Sequence, residues 1–344
     1  MKLKTAILLI NLGTPDSPSV KDVRKYLFEF LNDPRVIDIP TIARSILVNL
    51  IIVPFRAPKS TKIYKDLWVN NGLPDGKSGS PIQYYGKSVQ EKLQKSLGDK
   101  FDVYLAMRYK NPSIYDVLSD IYKNNYEKII VVPLFPQYAS ATTGSVIDKV
   151  MKRMSKWWVI PEIKFISQFY DNDGFINTIV ERAKKYNIDE YDHMLFSYHG
   201  LPVRQVDKVY KDGTLCEEHN CETEINETNK YCYKATCYAT TRLIAKKLNL
   251  PKEKYTVCFQ SRLDKKWLEP FADKMIIEQA KNGAKKLLVF SPAFVADCLE
   301  TLIEIGVEYQ KLFEEYGGEK VQLVESLNDH PMWIETLKEI VINN

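Results

Sequence analysis

The alternation of short apolar runs with longer amphipathic ones constrains the fold most strongly. Eight short runs are apolar almost throughout, and helical patterns such as 81–97, 174–186, 238–248 and 268–282 separate most of them. Strands that are apolar on both sides are typical of parallel sheets covered by helices on both faces. The pattern therefore predicts an α/β fold. The eight predicted strands begin at Thr5, Phe101, Ile129, Ile163, Met194, Tyr255, Leu287 and Val321.

Chain length predicts how these elements are divided. A chain of 344 residues is long for one hydrophobic core and suits two domains of ordinary size. We place the first domain at 1–160 and the second at 161–320, with the boundary near 157–161. A polar, cysteine-containing insertion at 211–237 interrupts the second domain.

Charge and the amino-terminal segment exclude several classes of protein. The 48 basic and 44 acidic residues leave a formal net charge of only +4, which is too weak a bias to indicate nucleic-acid binding. The apolar run in 1–13 is short and no small-residue cleavage site follows it, so we interpret it as a first strand. We expect no membrane-spanning stretch of about 18 apolar residues. The six cysteines are then expected in a reducing compartment, where metal binding or packing is favoured over disulfides.

Polar loops follow several of the predicted strands, and one of them carries a histidine. His199 ends an apolar run and precedes Gly200 and Pro202, which do not extend a strand. In parallel sheets the loops at the carboxyl ends of strands bind ligands. Imidazole exchanges protons near neutral pH, so His199 is a candidate acid–base group, with a hydrogen-bonded structural histidine as the alternative. The other loops of this kind are 11–15, 108–109, 136–145 and 291–297.

The segment after the seventh strand carries four carboxylates at helical spacing, which we call the acidic row. They fall at i, i+3, i+7 and i+11 of a predicted helix, on one face. Like charges one turn apart destabilise a helix by about 0.2–0.5 kcal/mol per pair. The row is either a solvated acidic face or a line of carboxylates beside a cavity that passes a hard divalent cation or protons. Its members are Asp297, Glu300, Glu304 and Glu308.

Taken together, these segments resemble the ferrochelatase family over essentially the whole chain. The motifs that carry the resemblance are 11–15, 30–36, 78–82, 108–109, 133–138, 142–144, 197–202, 259–262, 267–268 and 294–302. The resemblance implies two Rossmann-like domains, each a parallel sheet flanked by helices, with the active-site cleft between them. It also implies that residues 321–344 return to the first domain.

The resemblance implies a lyase that inserts Fe²⁺, its substrate, into protoporphyrin IX and releases two protons, the last step of haem biosynthesis. His199 would be the proton acceptor, a metal ligand or both, and Glu300 would share the catalytic role. The resemblance further implies metal binding by Glu300, Glu304 and Asp297. In some family members a histidine replaces Cys298. The implied porphyrin-binding residues are Arg56, Tyr64, Ser80, Tyr109 and Trp267.

Three other functions stay open at this point. A coproporphyrin chelatase or a cobalt chelatase of the same fold would carry the same motifs. A two-lobed tetrapyrrole-binding protein without catalysis would keep the binding residues and need no base at His199. A nucleotide-dependent oxidoreductase is disfavoured, because no G-x-G-x-x-G follows the first strand.

The insertion contains four regularly spaced cysteines in the pattern C-x4-C-x10-C-x4-C. Their polar surroundings favour a metal site over core packing, and short spacings of four thiolates suit Zn²⁺ or an iron–sulfur cluster. The resemblance favours a [2Fe-2S] cluster, because many ferrochelatases carry one. Unused thiols are the alternative, and His219 is a further candidate ligand. The four residues are Cys216, Cys221, Cys232 and Cys237.

An apolar stretch at 46–55 is flanked by basic residues, among them Arg44, Arg56, Lys59 and Lys62. It is either a buried helix or a surface at 44–62 that touches a membrane, with the basic residues meeting anionic headgroups. Because porphyrins partition into membranes, we expect peripheral, reversible contact. The predicted location is the cytoplasm, at the inner face of the cytoplasmic membrane.

Overall fold

The computed structural model describes residues 4–69 and 72–344, which form two compact units. Unit 1 comprises the chain up to Phe135 together with Ser140–Gln168 and Ile334–Asn344. Unit 2 comprises Pro136–Ala139 and Phe169–Trp333.

Unit 1 is built on a four-stranded parallel sheet in the order β2-β1-β3-β4. Its strands are β1 (Thr5–Gly13), β2 (Phe101–Tyr109), β3 (Lys128–Pro133) and β4 (Glu162–Phe165). Its helices are α1 (Val20–Leu31), α2 (Thr41–Ile46), α3 (Val53–Val69), α4 (Pro81–Leu97), α5 (Ile114–Lys123) and α6 (Ser145–Met154), with π-helices π1 (Leu47–Ile52) and π2 (Ser140–Gly144) and 3₁₀ turns at Pro74–Gly76 and Gly98–Lys100.

Unit 2 repeats this architecture with a parallel sheet in the order β6-β5-β7-β8. Its strands are β5 (His193–His199), β6 (Tyr255–Gln260), β7 (Lys286–Phe290) and β8 (Lys320–Leu323). Its helices are α7 (Asp173–Ala183), α8 (Val203–Asp207), α9 (Tyr233–Lys247), α10 (Ala272–Lys281), α11 (Gln310–Glu315) and the first turn of α12 (Pro331–Ile342), with π-helix π3 (Glu300–Tyr309) and 3₁₀ turns at Ile188–Glu190, Cys216–Glu218 and Lys252–Lys254.

Apolar burial on the sheets explains why the strands were recognisable. Ala6, Leu8 and Ile10 of β1 pack with α5 and α6, and Leu287 and Val289 of β7 pack with α10 and α11. All eight predicted strands are present and parallel, which confirms the predicted α/β class with two sheets flanked by helices. In each sheet the strand order changes direction beside the first strand. The switch lies between β1 and β3 in the first sheet and between β5 and β7 in the second. Such switch points are where α/β proteins bind ligands.

The unit boundaries differ from the predicted ones. The second unit begins at Phe169 rather than near 157–161, because β4 pairs with β3. The prediction grouped residues 321–344 with the first domain. Instead β8 pairs with β7 of the second sheet, and only Ile334–Asn344 group with unit 1.

One long helical segment was not foreseen. α2, π1 and α3 join into a helical run over Thr41–Val69, which by length and composition alone is long and apolar enough to cross a membrane. The sequence predicts no membrane-spanning stretch, because the apolar segment 46–55 by itself is only ten residues long. One side of the run is packed on unit 1, where Val48, Val53 and Ala57 join the core formed with α1.

Candidate active site

His199 stands at the carboxyl end of β5, beside the switch point of the second sheet. The strand is buried along its length and only His199 is partly exposed. Its Nδ1 lies 2.7 Å from the carbonyl oxygen of Gly200. Because a carbonyl only accepts, Nδ1 carries the proton, and the neutral ring keeps its lone pair on Nε2. The local backbone thus presents Nε2 as a base or a metal ligand.

Gly200 fixes the turn that follows His199. Its amide donates to the carbonyl of Gln260 at 2.8 Å. A Cβ at this position would stand 2.9 Å from that carbonyl oxygen and 3.2 Å from Cε3 of Trp267. The close approach explains why glycine occupies the turn. It also brings the Trp267 ring to 6.4 Å from the imidazole, so two of the predicted site residues lie together.

Glu304 is the most constrained carboxylate of the acidic row. Its Oε1 accepts from the amide of Ser261 at 2.9 Å and from the Tyr309 hydroxyl at 3.0 Å. Its Oε2 accepts from Nε2 of Gln260 at 3.0 Å and from the Ser261 hydroxyl at 2.5 Å. Four donors around one carboxylate hold it in one orientation. Glu304 is therefore a fixed carboxylate.

Gln260 connects this carboxylate to the strand that carries the histidine. It pairs with His199 in the β5–β6 register and is almost fully buried. Its Oε1 accepts from the Ser197 hydroxyl at 2.7 Å, and its Nε2 also donates to the backbone carbonyl of Glu300 at 3.0 Å. The structure thus joins β5, β6 and the start of π3 through a single amide side chain.

Glu300 begins π3 and is half-buried. Within 4–69 and 72–344 no lysine or arginine pairs with its carboxylate. Burial raises the pKa of Cys298, and the neighbouring Glu300 carboxylate raises it further. Glu300 is thus an anion without a compensating cation in the described structure, a state suited to binding a cation.

Asp297 and Glu308 lie in different environments from the other two carboxylates of the acidic row. Asp297 lies in the loop after β7, before the helix begins, and its carboxylate accepts from Thr301, Ser326 and Asn328. These buried hydrogen bonds tie two loops together, and metal binding by Asp297 stays a prediction. Glu308 is exposed, and its pKa is raised by partial desolvation and then by the Glu304 carboxylate.

The predicted porphyrin-binding residues of unit 1 occupy different environments. Ser80 precedes α4 and is buried, yet its hydroxyl has no hydrogen-bond partner among the residues described. Arg56 is exposed on α3, and Tyr64 is half-buried with its ring edge-on to Tyr26. An orphaned buried hydroxyl such as that of Ser80 is a feature that a bound ligand would explain.

Tyr109 belongs to a buried network rather than to an open surface. Its ring is fully buried and its hydroxyl donates to Asp33 at 2.9 Å. Arg108 and the Ser145 hydroxyl bond the same carboxylate, and the Arg108 guanidinium lies 4.4 Å from the Tyr109 ring centroid. Tyr109 therefore serves packing and hydrogen bonding within unit 1, and its contact with a porphyrin stays a prediction.

The sequence motifs include several residues of the site to which the sequence assigns no role. Gln260 and Ser261 lie in the motif 259–262, and Tyr309 lies beyond the last motif. Ser261 has a positive φ of 60°, which the sequence does not reveal, and its amide and hydroxyl both donate to Glu304. No periodicity in the sequence marks Tyr309. The π-helical turn determines that its hydroxyl reaches Glu304.

Three of the four cysteines of the insertion come together. The sulfur atoms of Cys216, Cys221 and Cys232 all lie within 4.8 Å of one another, and all three side chains are buried. Cys237 lies outside this group, buried within α9. The side chains therefore do not fit the predicted four-thiolate site, whether cluster or zinc. His219 also stays apart, with Nε2 2.8 Å from the Thr214 hydroxyl.

Comparison with known proteins identifies the family of this chain. A family model described as Ferrochelatase matches residues 4–344. The chain is 43% identical over 340 residues to ferrochelatases of Coxiella burnetii (strain CbuK_Q154) and Legionella pneumophila (strain Paris). In each comparison 98% of this chain is covered, with 93% of the Coxiella protein and 99% of the Legionella protein. The solved structure of SirB from Bacillus subtilis with Fe³⁺ has the same fold, with a TM-score of 0.56 at 12% identity over 99% of this chain and 95% of SirB. With its sequence matched along nearly its whole length, the chain belongs to the ferrochelatase family.

Proposed function

We propose that this chain inserts Fe²⁺ into protoporphyrin IX, forming protohaem and releasing the two pyrrole protons. As a member of the ferrochelatase family it is a metal-inserting enzyme, a lyase. The observation that carries the residue assignment is the hydrogen bond from His199 Nδ1 to the Gly200 carbonyl. It leaves Nε2 as the one ring nitrogen able to take a proton or a metal ion.

His199 and Glu300 divide the chemistry. Both N–H protons of a free-base porphyrin leave as the metal enters, so the site needs a proton acceptor. Nε2 of His199 accepts them in turn, as a general base at the end of a rigid strand. Glu300, which no described lysine or arginine neutralises, binds the incoming cation or accepts a proton from the imidazolium.

Glu304 acts by its fixed charge rather than by movement. Its four hydrogen bonds hold the carboxylate in one position. A carboxylate that moved along with the ion would lose these hydrogen bonds. A fixed anion one turn from Glu300 lowers the energy of a cation there and stabilises the imidazolium formed at His199. Glu308, exposed at the next turn, is the outermost carboxylate of this path.

Porphyrin binding supplies the energy that exposes the pyrrole nitrogens. A planar ring holds their lone pairs in its plane, and a protein that bends the ring uses binding energy for the distortion. Arg56 and the Ser80 hydroxyl are suited to propionate groups, and Tyr64 lies on the same helix as Arg56. Trp267 supplies an aromatic face near His199.

A ring with few carboxylates fits the proposed contacts better than one with many. Arg56 is the single cation among the proposed porphyrin-binding residues, which favours protoporphyrin over coproporphyrin. Parallel anaerobic assays with both porphyrins and with Fe²⁺ or Co²⁺ separate these substrates. A higher kcat/KM with coproporphyrin or Co²⁺ would show that it is the preferred substrate in place of protoporphyrin or Fe²⁺. The proposed role of His199 would be unchanged.

The central experiment is the variant His199→Ala, assayed without oxygen for metal insertion and by fluorescence quenching for porphyrin binding. Loss of a general base lowers rates by about 10²–10⁴-fold. We expect a loss of that size in kcat, with porphyrin affinity changed less than threefold. His193→Gln, which alters the histidine at the opposite end of the same strand, is the matched control and keeps near-normal activity. Undiminished insertion by His199→Ala would refute the assignment.

We also infer that the run 41–69 touches a lipid surface from the cytoplasmic side, at the inner face of the cytoplasmic membrane. Four apolar side chains spaced along its outward side are each more than half exposed. They are Ile42, Ile46, Leu50 and Phe55. Exposed basic residues follow along the same helix at Arg56, Lys59 and Lys62. An apolar stripe beside cations is the pattern of an interfacial helix that lies along a membrane containing anionic lipids.

Sedimentation with vesicles tests this contact. The wild-type chain should bind vesicles that contain anionic lipid more tightly than neutral ones. The pair Leu50→Ser and Phe55→Ser should weaken binding several-fold. Met151→Ser removes another apolar side chain that is more than half exposed, on α6, and serves as the control. Equal binding by the stripe variant and the control would overturn the inference.

A further inference from the structure

The cysteine insertion contains three thiols in an arrangement that the disulfide and four-ligand explanations do not fit. The Sγ atoms of Cys216 and Cys232 are 3.5 Å apart, and those of Cys221 and Cys232 are 3.7 Å apart. A disulfide requires about 2.05 Å. All three cysteines are free and at most 3% exposed. Three buried sulfur atoms therefore converge on one point from three different parts of a polar loop.

The separations match ligation of one ion. Thiolates bound to a tetrahedral Zn²⁺ at about 2.3 Å stand roughly 3.8 Å apart. In a two-iron cluster, sulfur ligands of different irons stand farther apart, because two metal ions and their bridging sulfides lie between them. Three sulfur atoms all within 4.8 Å of one another fit a mononuclear site better than a binuclear one.

The loop is built around this point. The Cys216 amide donates to Asp207 of α8 at 2.9 Å, and Cys232 is the residue that precedes α9. The Tyr210 hydroxyl lies 3.0 Å from Cys221 Sγ, and Nδ2 of Asn229 lies 3.9 Å from the same sulfur. Buried polar groups thus surround the thiols. An ion here would tie the loop to the helices on either side of it.

Cys237 does not complete the set. It stands five residues after Cys232, within the body of α9, and five residues of helix rotate a side chain well away from the starting direction. Its sulfur is not among the three that lie within 4.8 Å of one another. The regular spacing in the sequence suggested four equivalent ligands, and the helix separates the fourth from the other three.

We propose that Cys216, Cys221 and Cys232 form a three-thiolate site for a single divalent ion of the zinc type, with an oxygen donor in the fourth position. Thiolate ligands select thiophilic ions such as Zn²⁺. Binding displaces the thiol protons and closes the loop between Tyr210 and Cys232. The site is independent of the metal-insertion chemistry, and its role is to order the segment that follows His199 and α8.

The test measures bound metal and acid-labile sulfide in protein purified without oxygen, then repeats it after removal of metal and reconstitution with Zn²⁺ or Co²⁺. We expect one Zn²⁺ per chain, no labile sulfide, and thiolate-to-Co²⁺ charge-transfer bands whose intensity corresponds to three sulfur ligands. Removal of the ion should increase proteolysis within 211–231 at least tenfold, and Zn²⁺ should restore protection.

Single variants separate the two ligand sets. Cys216→Ser, Cys221→Ser and Cys232→Ser should each lower Zn²⁺ affinity at least a hundredfold. Cys237→Ser and Cys237→Ala should keep one Zn²⁺ per chain, with folding followed by circular dichroism. Iron and labile sulfide in equal amounts, loss of Zn²⁺ in folded Cys237 variants, or failure of the folded wild-type chain to bind Zn²⁺ would each overturn the proposal.

Discussion

The amide of Gln260 donates from Nε2 to Oε2 of Glu304 over 3.0 Å, joining the end of β6 to the π-helix that carries the carboxylates. The same side chain accepts from Ser197 two residues before His199. The relationship makes Gln260 a positioning residue, because it touches the two elements that carry the proposed catalytic groups.

Replacing this amide should uncouple the two elements. We expect Gln260→Leu to lower the free energy of unfolding by about 1–3 kcal/mol, because Ser197 and Glu304 each lose a buried partner. We also expect kcat for metal insertion to fall more than KM for porphyrin. Urea unfolding and steady-state assays measure both. Gln322→Leu removes a half-buried amide of β8 and is the control, and an equal loss of activity there would contradict the role.

The turn after His199 should not tolerate a side chain. A Cβ at Gly200 would press on the Gln260 carbonyl at 2.9 Å, so Gly200→Ala should cost about 1–3 kcal/mol and displace the imidazole. Gly306→Ala is the matched control, since its added Cβ would meet its nearest atom, the Thr301 carbonyl oxygen, at 3.8 Å. Thermal unfolding and metal-insertion rates compare the two. Gly200→Ala with normal activity would show that the turn does not set the position of His199.

Folding stability should depend on pH through His193. Burial lowers the pKa of this imidazole, and nearby Lys254 lowers it further. The unfolded chain then binds the proton more readily below the ordinary value of about 6.5, so stability falls as pH drops through that range and is fully present above it. Urea titrations between pH 7.5 and 5 measure the slope.

The variant His193→Gln should flatten part of that slope, because an amide can keep the hydrogen bond to Thr256 without titrating. A residual slope is expected from His330, whose pKa is lowered by burial first and then by Arg182. An unchanged slope in His193→Gln would contradict the assignment to this residue.

The buried ion pair of unit 1 should be expensive to break. Burial acts to raise the pKa of Asp33, but the hydrogen bond from Ser145 and the charge of Arg108 outweigh it and hold that pKa below its ordinary value. Removing the guanidinium from a buried pair leaves a charge uncompensated and costs about 3–5 kcal/mol. We expect Arg108→Met to lose stability of that size, measured by urea unfolding at pH 7. Lys152→Met, which breaks an exposed pair with Asp148, should lose less than 1 kcal/mol.

The same Asp33 pair makes an acid-side prediction. Because its pKa is lowered on folding, its contribution is present above about pH 4 and is lost as pH falls further. The difference in stability between wild type and Arg108→Met should therefore shrink below pH 4. A constant difference down to pH 2.5 would show that charge is not the cause.

Local pattern was sufficient to predict the eight strands and their parallel arrangement. Burial on both faces leaves a strand apolar at almost every position. A run of four to six consecutive residues is enough to show this pattern. The loops after the strands, including His199, followed from the same rule. Family motifs then identified the class of enzyme, since they are themselves short segments.

The tertiary structure decided which of these groups meet. Periodicity placed Asp297, Glu300, Glu304 and Glu308 in one row, yet hydrogen bonds to Asn328 remove Asp297 from it and donors on β6 fix Glu304. Spacing suggested four equivalent cysteines, and the start of α9 between Cys232 and Cys237 divided them. Sequence determined each element from its neighbours along the chain. The partners of a buried polar side chain come from elements tens of residues away, so only the packed structure specifies them.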